Sequence, residues 1–107
     1  MKDSYSNIFH FNKKILNKTL KVLNKESIVS LPTETVYGLA GNAYSKIAVE
    51  KIFKLKNRPK INPLIIHYYD IQQLFNDVVT NNNFKKLYQE FCPGPLTFIL
   101  KKNKNYS

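Results

Sequence analysis

A single arginine, Arg58, stands among sixteen lysines in this chain. Lysine can replace arginine on most solvated surfaces, but it lacks the planar guanidinium that binds phosphate or carboxylate through two parallel hydrogen bonds. A lone arginine therefore favours a position where that geometry is used, although a chance arginine would cost the protein nothing. The chemistry that Arg58 favours is the recognition of an anion, either a phosphate or a carboxylate.

Three further polar residues, Lys56, Lys60 and Asn62, lie close to Arg58. Since Pro59 and Pro63 forbid a helix, we expect residues 56–63 to form a loop in extended geometry. Lys56 and Arg58 would then point the same way and present two cations to one anion. Because exposed ion pairs contribute little, this interpretation requires a cleft, and a solvated basic loop remains the alternative.

A second candidate segment, residues 32–44, offers hydroxyl groups and backbone amides. Thr33, Thr35 and Tyr37 supply the hydroxyls, next to Gly38. The competing interpretation is a tight connection between a strand and a helix, in which threonine side chains bond their own backbone. The residues alone leave both interpretations open.

Several kinds of site find no support in the sequence. It contains no Walker-type phosphate loop, nucleophile elbow or dinucleotide fingerprint. His10 and His67 are far apart without clustered carboxylates, so no metal site is predicted. His67 ends an apolar run, where a histidine is more often a satisfied core or edge residue than a ligand. Cys92 is the only cysteine, so neither an internal disulfide nor a multi-cysteine zinc site is expected.

The composition predicts one globular domain. The chain has 107 residues, of which 43% are hydrophobic, and a net charge of +10. That charge favours polyanions such as nucleotides or RNA, although the lysines are spread along the chain and a general compositional bias explains them as well. No apolar run approaches the roughly 20 residues that span a bilayer, and residues 1–6 lack the apolar core of a secretory signal. We therefore expect a cytoplasmic protein.

The elements that must position these residues alternate between helices and strands, which favours an α/β fold class with helices covering a sheet. Ligands usually bind at loops that leave strand ends, such as residues 32–44 and 56–63. The predicted helices are residues 11–25, a helix from Ser45 as N-cap to Leu55, one from Asp70 to Val79, and one capped by Asn83 and running through Phe91. The predicted strands are residues 27–31, 64–69 and 96–100.

Four blocks of the sequence, in this order, resemble the YrdC family of threonylcarbamoyl-AMP synthases, which act in tRNA modification. They read SLPTETVYGLAGNAY at residues 30–44, KIFKLKNRP at 51–59, NPLIIH at 62–67 and PGPLTFIL at 93–100. The resemblance implies an α/β (mixed α+β) fold, with a twisted mixed sheet flanked by helices. It also implies that residues 1–107 form a truncated YrdC-like domain, about its first half, without the C-terminal half and its Ser-x-Asn segment.

The resemblance further implies an activity: L-threonine, bicarbonate or CO2, and ATP with Mg2+ give threonylcarbamoyl-AMP and pyrophosphate. Partner proteins then transfer the product to make the threonylcarbamoyl adenosine (t6A) of tRNA. Thr35 and His67 match the family positions that contact threonine, whereas Lys56, Arg58 and Asn62 match those that contact ATP. No catalytic nucleophile is implied. The alternatives are a basic RNA-binding module and an inactive remnant of the enzyme.

Overall fold

The computed structural model describes residues 7–104, and these residues form a mixture of short helices and strands. This mixture confirms the α/β fold class. The described residues fall into two compact units that divide after Asn62. In chain order the elements are α1 (Lys13–Asn24), β1 (Val29–Pro32), β2 (Tyr37–Ala40), α2 (Lys46–Leu55), α3 (Ile71–Asp77), β3 (Val78–Val79), α4 (Asn82–Phe91) and β4 (Lys101–Lys102).

An antiparallel hairpin of β1 and β2 lies in the first unit, with Val29 opposite Ala40 and Pro32 opposite Tyr37. The strand expected at residues 27–31 is confirmed, displaced slightly toward Pro32. The expectation that residues 32–44 form a loop throughout is wrong, because β2 returns along β1 and confines the connection to residues 33–36. This strand was hard to predict from the sequence, because the small side chains of Gly38 and Ala40 give little hydrophobic alternation.

The buried apolar residues of the first unit, Ala48 and Ile52, both lie on α2. Gly41 follows β2 and lies against them. A Cβ at Gly41 would be 3.2 Å from the Cβ of Ala48 and 3.4 Å from a methyl group of Ile52. A glycine is therefore needed where the hairpin approaches α2. Ser45 caps α2 as expected, because its hydroxyl accepts a hydrogen bond of 3.1 Å from the N–H of Ala48.

The second unit begins its regular structure with α3, whose predicted N-cap, Asp70, is confirmed by a 2.9 Å bond from the N–H of Gln72. The helix ends at Asp77 and not at Val79. Val78 and Val79 instead pair in antiparallel fashion with Lys102 and Lys101. Their β-branched side chains suit a strand better than a helix end, and the polar tail supplies the partner.

The N-cap of α4 is Asn81 and not the expected Asn83. Its side chain accepts a 2.8 Å bond from the N–H of Phe84. Three consecutive asparagines could each cap a helix, so the sequence did not distinguish among them. Tertiary packing does, because this start places Phe84 in the first turn, where its buried ring meets the ring of Phe98 edge to face at 4.8 Å.

Two predicted strands, residues 64–69 and 96–100, are not strands in the structure. Neither segment has a backbone ladder with another described segment. Some of their large apolar side chains are wholly exposed, such as Tyr69 and Ile99. An apolar run is only half of what defines a strand, because the backbone also needs a neighbouring strand to pair with.

The polar centre of the second unit is Asp77, a buried residue at the end of α3. Its carboxylate accepts a 2.7 Å hydrogen bond from the hydroxyl of Tyr68, and its carbonyl accepts one of 2.7 Å from the N–H of Asn103. These two bonds join the segments of Tyr68 and Asn103 to one buried acid. Among the described residues, no helix has the length and apolar character needed to cross a membrane.

Candidate anion-binding site

The loop that carries Arg58 starts at the C-terminal end of α2. Lys56 is the C-cap, and Asn57 follows it with a φ of 49°, in the left-handed region. The N–H of Asn57 donates to the carbonyl of Lys54 at 3.2 Å, and the N–H of Arg58 donates to the carbonyl of Phe53 at 2.9 Å. These two bonds are the pair that defines a Schellman motif, so they terminate α2 and fix the backbone of Arg58 at once.

The expected extended geometry from Lys56 to Arg58 is therefore wrong. Lys56 has helical backbone angles and Asn57 is left-handed, so the two cations do not project by simple strand alternation. The helix ends before the prolines, as expected, but the turn of Asn57 ends it and not the prolines themselves. A short loop after a helix is governed by the capping of the last carbonyls, which the local pattern of charges did not reveal.

The side chain of Arg58 is half-buried and closes the loop that follows it. Its Nε donates a 3.3 Å hydrogen bond to the carbonyl of Asn62. The N–H of Asn62 in turn donates to the carbonyl of Pro59 at 3.0 Å. The structure thus brings Arg58 and Asn62 together, through the backbone of Asn62 and not through its exposed amide.

An open depression with a volume of about 370 Å³ lies beside this turn. Three cations, Lys54, Arg58 and Lys60, line it, together with one carboxylate. Lys56 is not among the lining residues, which are Glu50, Phe53, Lys54, Asn57, Arg58 and Lys60. The cations that line this depression with Arg58 are therefore Lys54 and Lys60, and not the expected Lys56.

Lys54 is the residue of this depression that the sequence reasoning missed. Residues four positions apart lie on the same side of a helix, and the turn extends that relation to Arg58. The signal was therefore the helical spacing through the end of α2. Cations at this position also stabilise the negative end of the helix dipole, so an anion must rely on the side-chain charges to offset the field of the last carbonyls.

The hairpin connection, residues 33–36, is organised by the side chain of Thr33. Its hydroxyl donates to the carbonyl of Val36 and accepts from the N–H groups of Thr35 and Val36 at 3.3 and 3.2 Å. The expected bonding of threonine to its own backbone is confirmed for Thr33, but the turn joins two strands and not a strand and a helix. The hydroxyl of Thr35 lies 3.5 Å from that of Thr33, at the limit of a hydrogen bond, and the side chain is exposed. Its assignment to threonine binding stays a prediction.

His67 belongs to the second unit, whereas Thr35, Lys56, Arg58 and Asn62 belong to the first. Its side chain is exposed, in the segment that has no ladder partner among the described residues. The threonine-binding role of His67 and the ATP-binding role of Lys56 remain predictions. In residues 7–104 no group of three or more His, Cys, Asp or Glu side chains is arranged to hold a metal ion.

Comparison with known proteins decides the family. The Sua5/YciO/YrdC family model, described as "Telomere recombination", matches residues 21–107. The chain belongs to this family. The motif blocks that carry Thr35, Arg58 and His67 all lie inside the matched region.

Relatives within the family carry the name of one enzyme. A threonylcarbamoyl-AMP synthase of Bacillus subtilis is 47% identical over 81 residues, covering 74% of this chain and 23% of that protein. A putative threonylcarbamoyl-AMP synthase of Methanocaldococcus jannaschii is 36% identical over 106 residues, covering 95% of this chain and 51% of that protein. The chain thus spans between about a quarter and a half of the length of these relatives.

Solved structures of the family share the fold. The crystal structure of Pyrococcus abyssi Sua5 complexed with L-threonine superposes with a TM-score of 0.84 and 35% sequence identity. The match covers 92% of this chain and 29% of that one. A second structure of P. abyssi Sua5, carrying two alanine substitutions, gives a TM-score of 0.85.

Proposed function

We propose that this chain takes part in the synthesis of threonylcarbamoyl-AMP from L-threonine, bicarbonate or CO2, and ATP, with release of pyrophosphate. The observation that carries the proposal is the placement of Arg58, in a family sequence block, beside a depression lined by two further cations. The names of the relatives support the reaction, and the L-threonine bound to P. abyssi Sua5 supports the amino-acid substrate.

The reaction needs cationic side chains, but it needs no nucleophile from the protein, because the carbamate is the nucleophile. The amine nitrogen of L-threonine first bonds to the carbon of CO2 with loss of a proton, or to the carbon of bicarbonate with loss of water, and gives a carbamate. A carbamate oxygen then attacks the α-phosphorus of ATP, and the bond to the bridging oxygen breaks with its electron pair leaving on pyrophosphate. Both reactants are anions, so positive groups must offset their repulsion and hold the carbamate in line with the bond that breaks.

The charges around the depression and the family resemblance support roles for individual residues. Arg58 binds the ATP phosphates with Lys54 and Lys60, and the family resemblance adds Lys56 and Asn62, which lie outside the lining of the depression. Mg2+ enters as the ATP complex, because this ion is commonly held by substrate phosphates and water with few protein ligands. Thr35 and His67 contact L-threonine through a hydroxyl and an imidazole. Proteins that modify tRNA consume the product to form threonylcarbamoyl adenosine.

Pyrophosphate release tests the proposal. The purified chain, given ATP, Mg2+ and bicarbonate, is expected to release pyrophosphate only when L-threonine is added. Arg58→Ala should abolish this release, because the remaining lysines cannot supply the bidentate fork. Lys21→Ala is the matched control, since it removes an exposed cation from α1 and should leave the rate unchanged. Release that is absent, or that is independent of threonine, would contradict the proposal.

A further inference from the structure

Two residues other than glycine adopt a positive φ in the described chain, Glu26 at 61° and Asn57 at 49°. Both follow the C-cap of a helix. Left-handed backbone is strained for most L-residues, and asparagine reduces that strain because its short polar side chain bonds locally. Glycine, asparagine and aspartate therefore suit the conformation of residue 57 best.

Glu26 has the same left-handed conformation as Asn57, at the end of α1, but it does not line the depression. It ends α1 through the same pair of bonds, from its own N–H to the carbonyl of Leu23 and from Ser27 to the carbonyl of Val22. Its side chain is engaged within the fold, where it accepts a 2.5 Å bond from the hydroxyl of Ser45. Asn57, in contrast, lines the cationic depression together with the arginine that follows it.

The left-handed turn at Asn57 determines where Arg58 lies. With residue 57 in a helical or extended conformation, the N–H of Arg58 could not reach the carbonyl of Phe53, to which it now bonds at 2.9 Å. An extended residue 57 would carry Arg58 away from the last turn of α2 and from Lys54, and a helical one would continue the helix instead of turning the chain back toward Asn62. The 3.3 Å bond from its Nε to Asn62 depends on the same placement.

We propose that Asn57 is a positioning residue whose left-handed backbone holds Arg58 beside Lys54 and Lys60, and thereby assembles the anion-binding depression. This role rests on the proposed function, because the site that Asn57 organises is the one proposed to bind the ATP phosphates. Asn57 acts through Arg58, so its effect on anion binding must vanish when the guanidinium is absent. It acts through its backbone, so glycine must replace it.

Isothermal titration with inorganic tripolyphosphate measures the positioning directly in the full chain. Asn57→Gly should keep the affinity within about twofold, and Asn57→Ala should weaken it about fivefold, as expected for a penalty of about 1 kcal/mol. In a double-mutant cycle, Asn57→Ala should cause no further loss once Arg58→Ala is present. Asn81→Ala removes the N-cap of α4 in the other unit, so it lowers stability without changing tripolyphosphate affinity.

Amide hydrogen exchange provides a second measurement that requires no ligand. Asn57→Ala should reduce protection of the Arg58 amide and leave the Ser27 amide, its equivalent in the α1 motif, unchanged. Equal losses in the glycine and alanine variants, additive losses in the cycle, or an unaltered Arg58 amide would each overturn the positioning role. Absence of tripolyphosphate binding by the unmodified chain would overturn it too. Binding without threonine-dependent turnover would reject the proposed function alone and leave this role standing.

Discussion

At the scale of single residues, neighbouring side chains of the same type differ in their hydrogen bonding. Thr33 and Thr35 are two positions apart in the hairpin connection. The hydroxyl of Thr33 is used within the turn, with one carbonyl and two N–H partners, whereas that of Thr35 makes a single contact of 3.5 Å. Substitution by valine, which keeps the shape and removes the hydroxyl, separates a structural threonine from a substrate-binding one.

Thr33→Val should lower the free energy of unfolding by about 1 kcal/mol, because the turn loses its side-chain bonds. Thr35→Val should change stability by less than about 0.5 kcal/mol, and should instead raise the KM for L-threonine about tenfold. Urea unfolding and threonine-dependent pyrophosphate release measure the two effects. Thr35→Ser, which restores a hydroxyl, is the control, and an unchanged KM in Thr35→Val would remove Thr35 from the threonine site.

At the scale of the elements, α2 is capped at both ends, and it carries the turn that we propose to bind phosphate. Its C-terminus ends in the Schellman motif that places Arg58. At its N-terminus the hydroxyl of Ser45 caps the helix and donates to the carboxylate of Glu26 at 2.5 Å. Lys51, within the helix, donates to the carbonyl of Glu26 at 3.1 Å. The end of α1 therefore anchors the start and middle of α2.

This double use of Ser45 predicts an exception to ordinary capping preferences. Aspartate is as good an N-cap as serine, yet Ser45→Asp should lower the free energy of unfolding by about 1 to 2 kcal/mol. The reason is that a second carboxylate would face that of Glu26 and could not donate the hydrogen bond. Urea denaturation provides the measurement.

The matched control is Asn81→Asp at the N-cap of α4, where the side chain accepts one backbone bond from Phe84. Stability there should stay within about 0.5 kcal/mol of the unmodified chain. Combining Ser45→Asp with Glu26→Gln should recover most of the loss, since the like charge is removed. Equal stabilities for Ser45→Asp and the unmodified chain would show that the Glu26 contact contributes nothing.

At the scale of the whole molecule, charge is abundant and buried apolar surface is scarce. The net charge is +10, and the buried hydrophobic residues of the described chain are Ala48, Ile52 and Phe84. Large apolar side chains such as Ile61 and Tyr69 are instead exposed. The lysines give the surface a general attraction for polyanions, which must be distinguished from a specific phosphate site.

The salt dependence of RNA binding distinguishes a general attraction for polyanions from a specific phosphate site. We expect labelled RNAs of unrelated sequence to bind with similar, weak affinities that fall steeply as NaCl is raised, because counterion release drives the association. Arg58→Ala should change the slope of log affinity against log salt by no more than about one unit, the share of a single phosphate contact. Fluorescence anisotropy across a salt series measures this. A flat salt response or a strong preference for one sequence would contradict it.

Local features could be predicted from the residues themselves. The caps Ser45 and Asp70, the loop after α2 and the family blocks around Arg58 were all recognisable, because capping, proline geometry and motif order depend on residues close in the chain. The fold class follows from the same local alternation of elements. Arg58 was singled out by composition alone.

Features that depend on a distant partner were decided only by the tertiary structure. Residues 64–69 and 96–100 have the composition of strands, but strands require pairing partners, and the polar Lys101–Lys102 pairs where those apolar runs do not. Asn81 prevails over Asn83 because Phe84 packs on Phe98. Arg58 lines the depression with Lys54 and not with Lys56, and a left-handed residue, Asn57, follows the end of the helix. Sequence identified the arginine, and the capping of α2 decided which cations surround it.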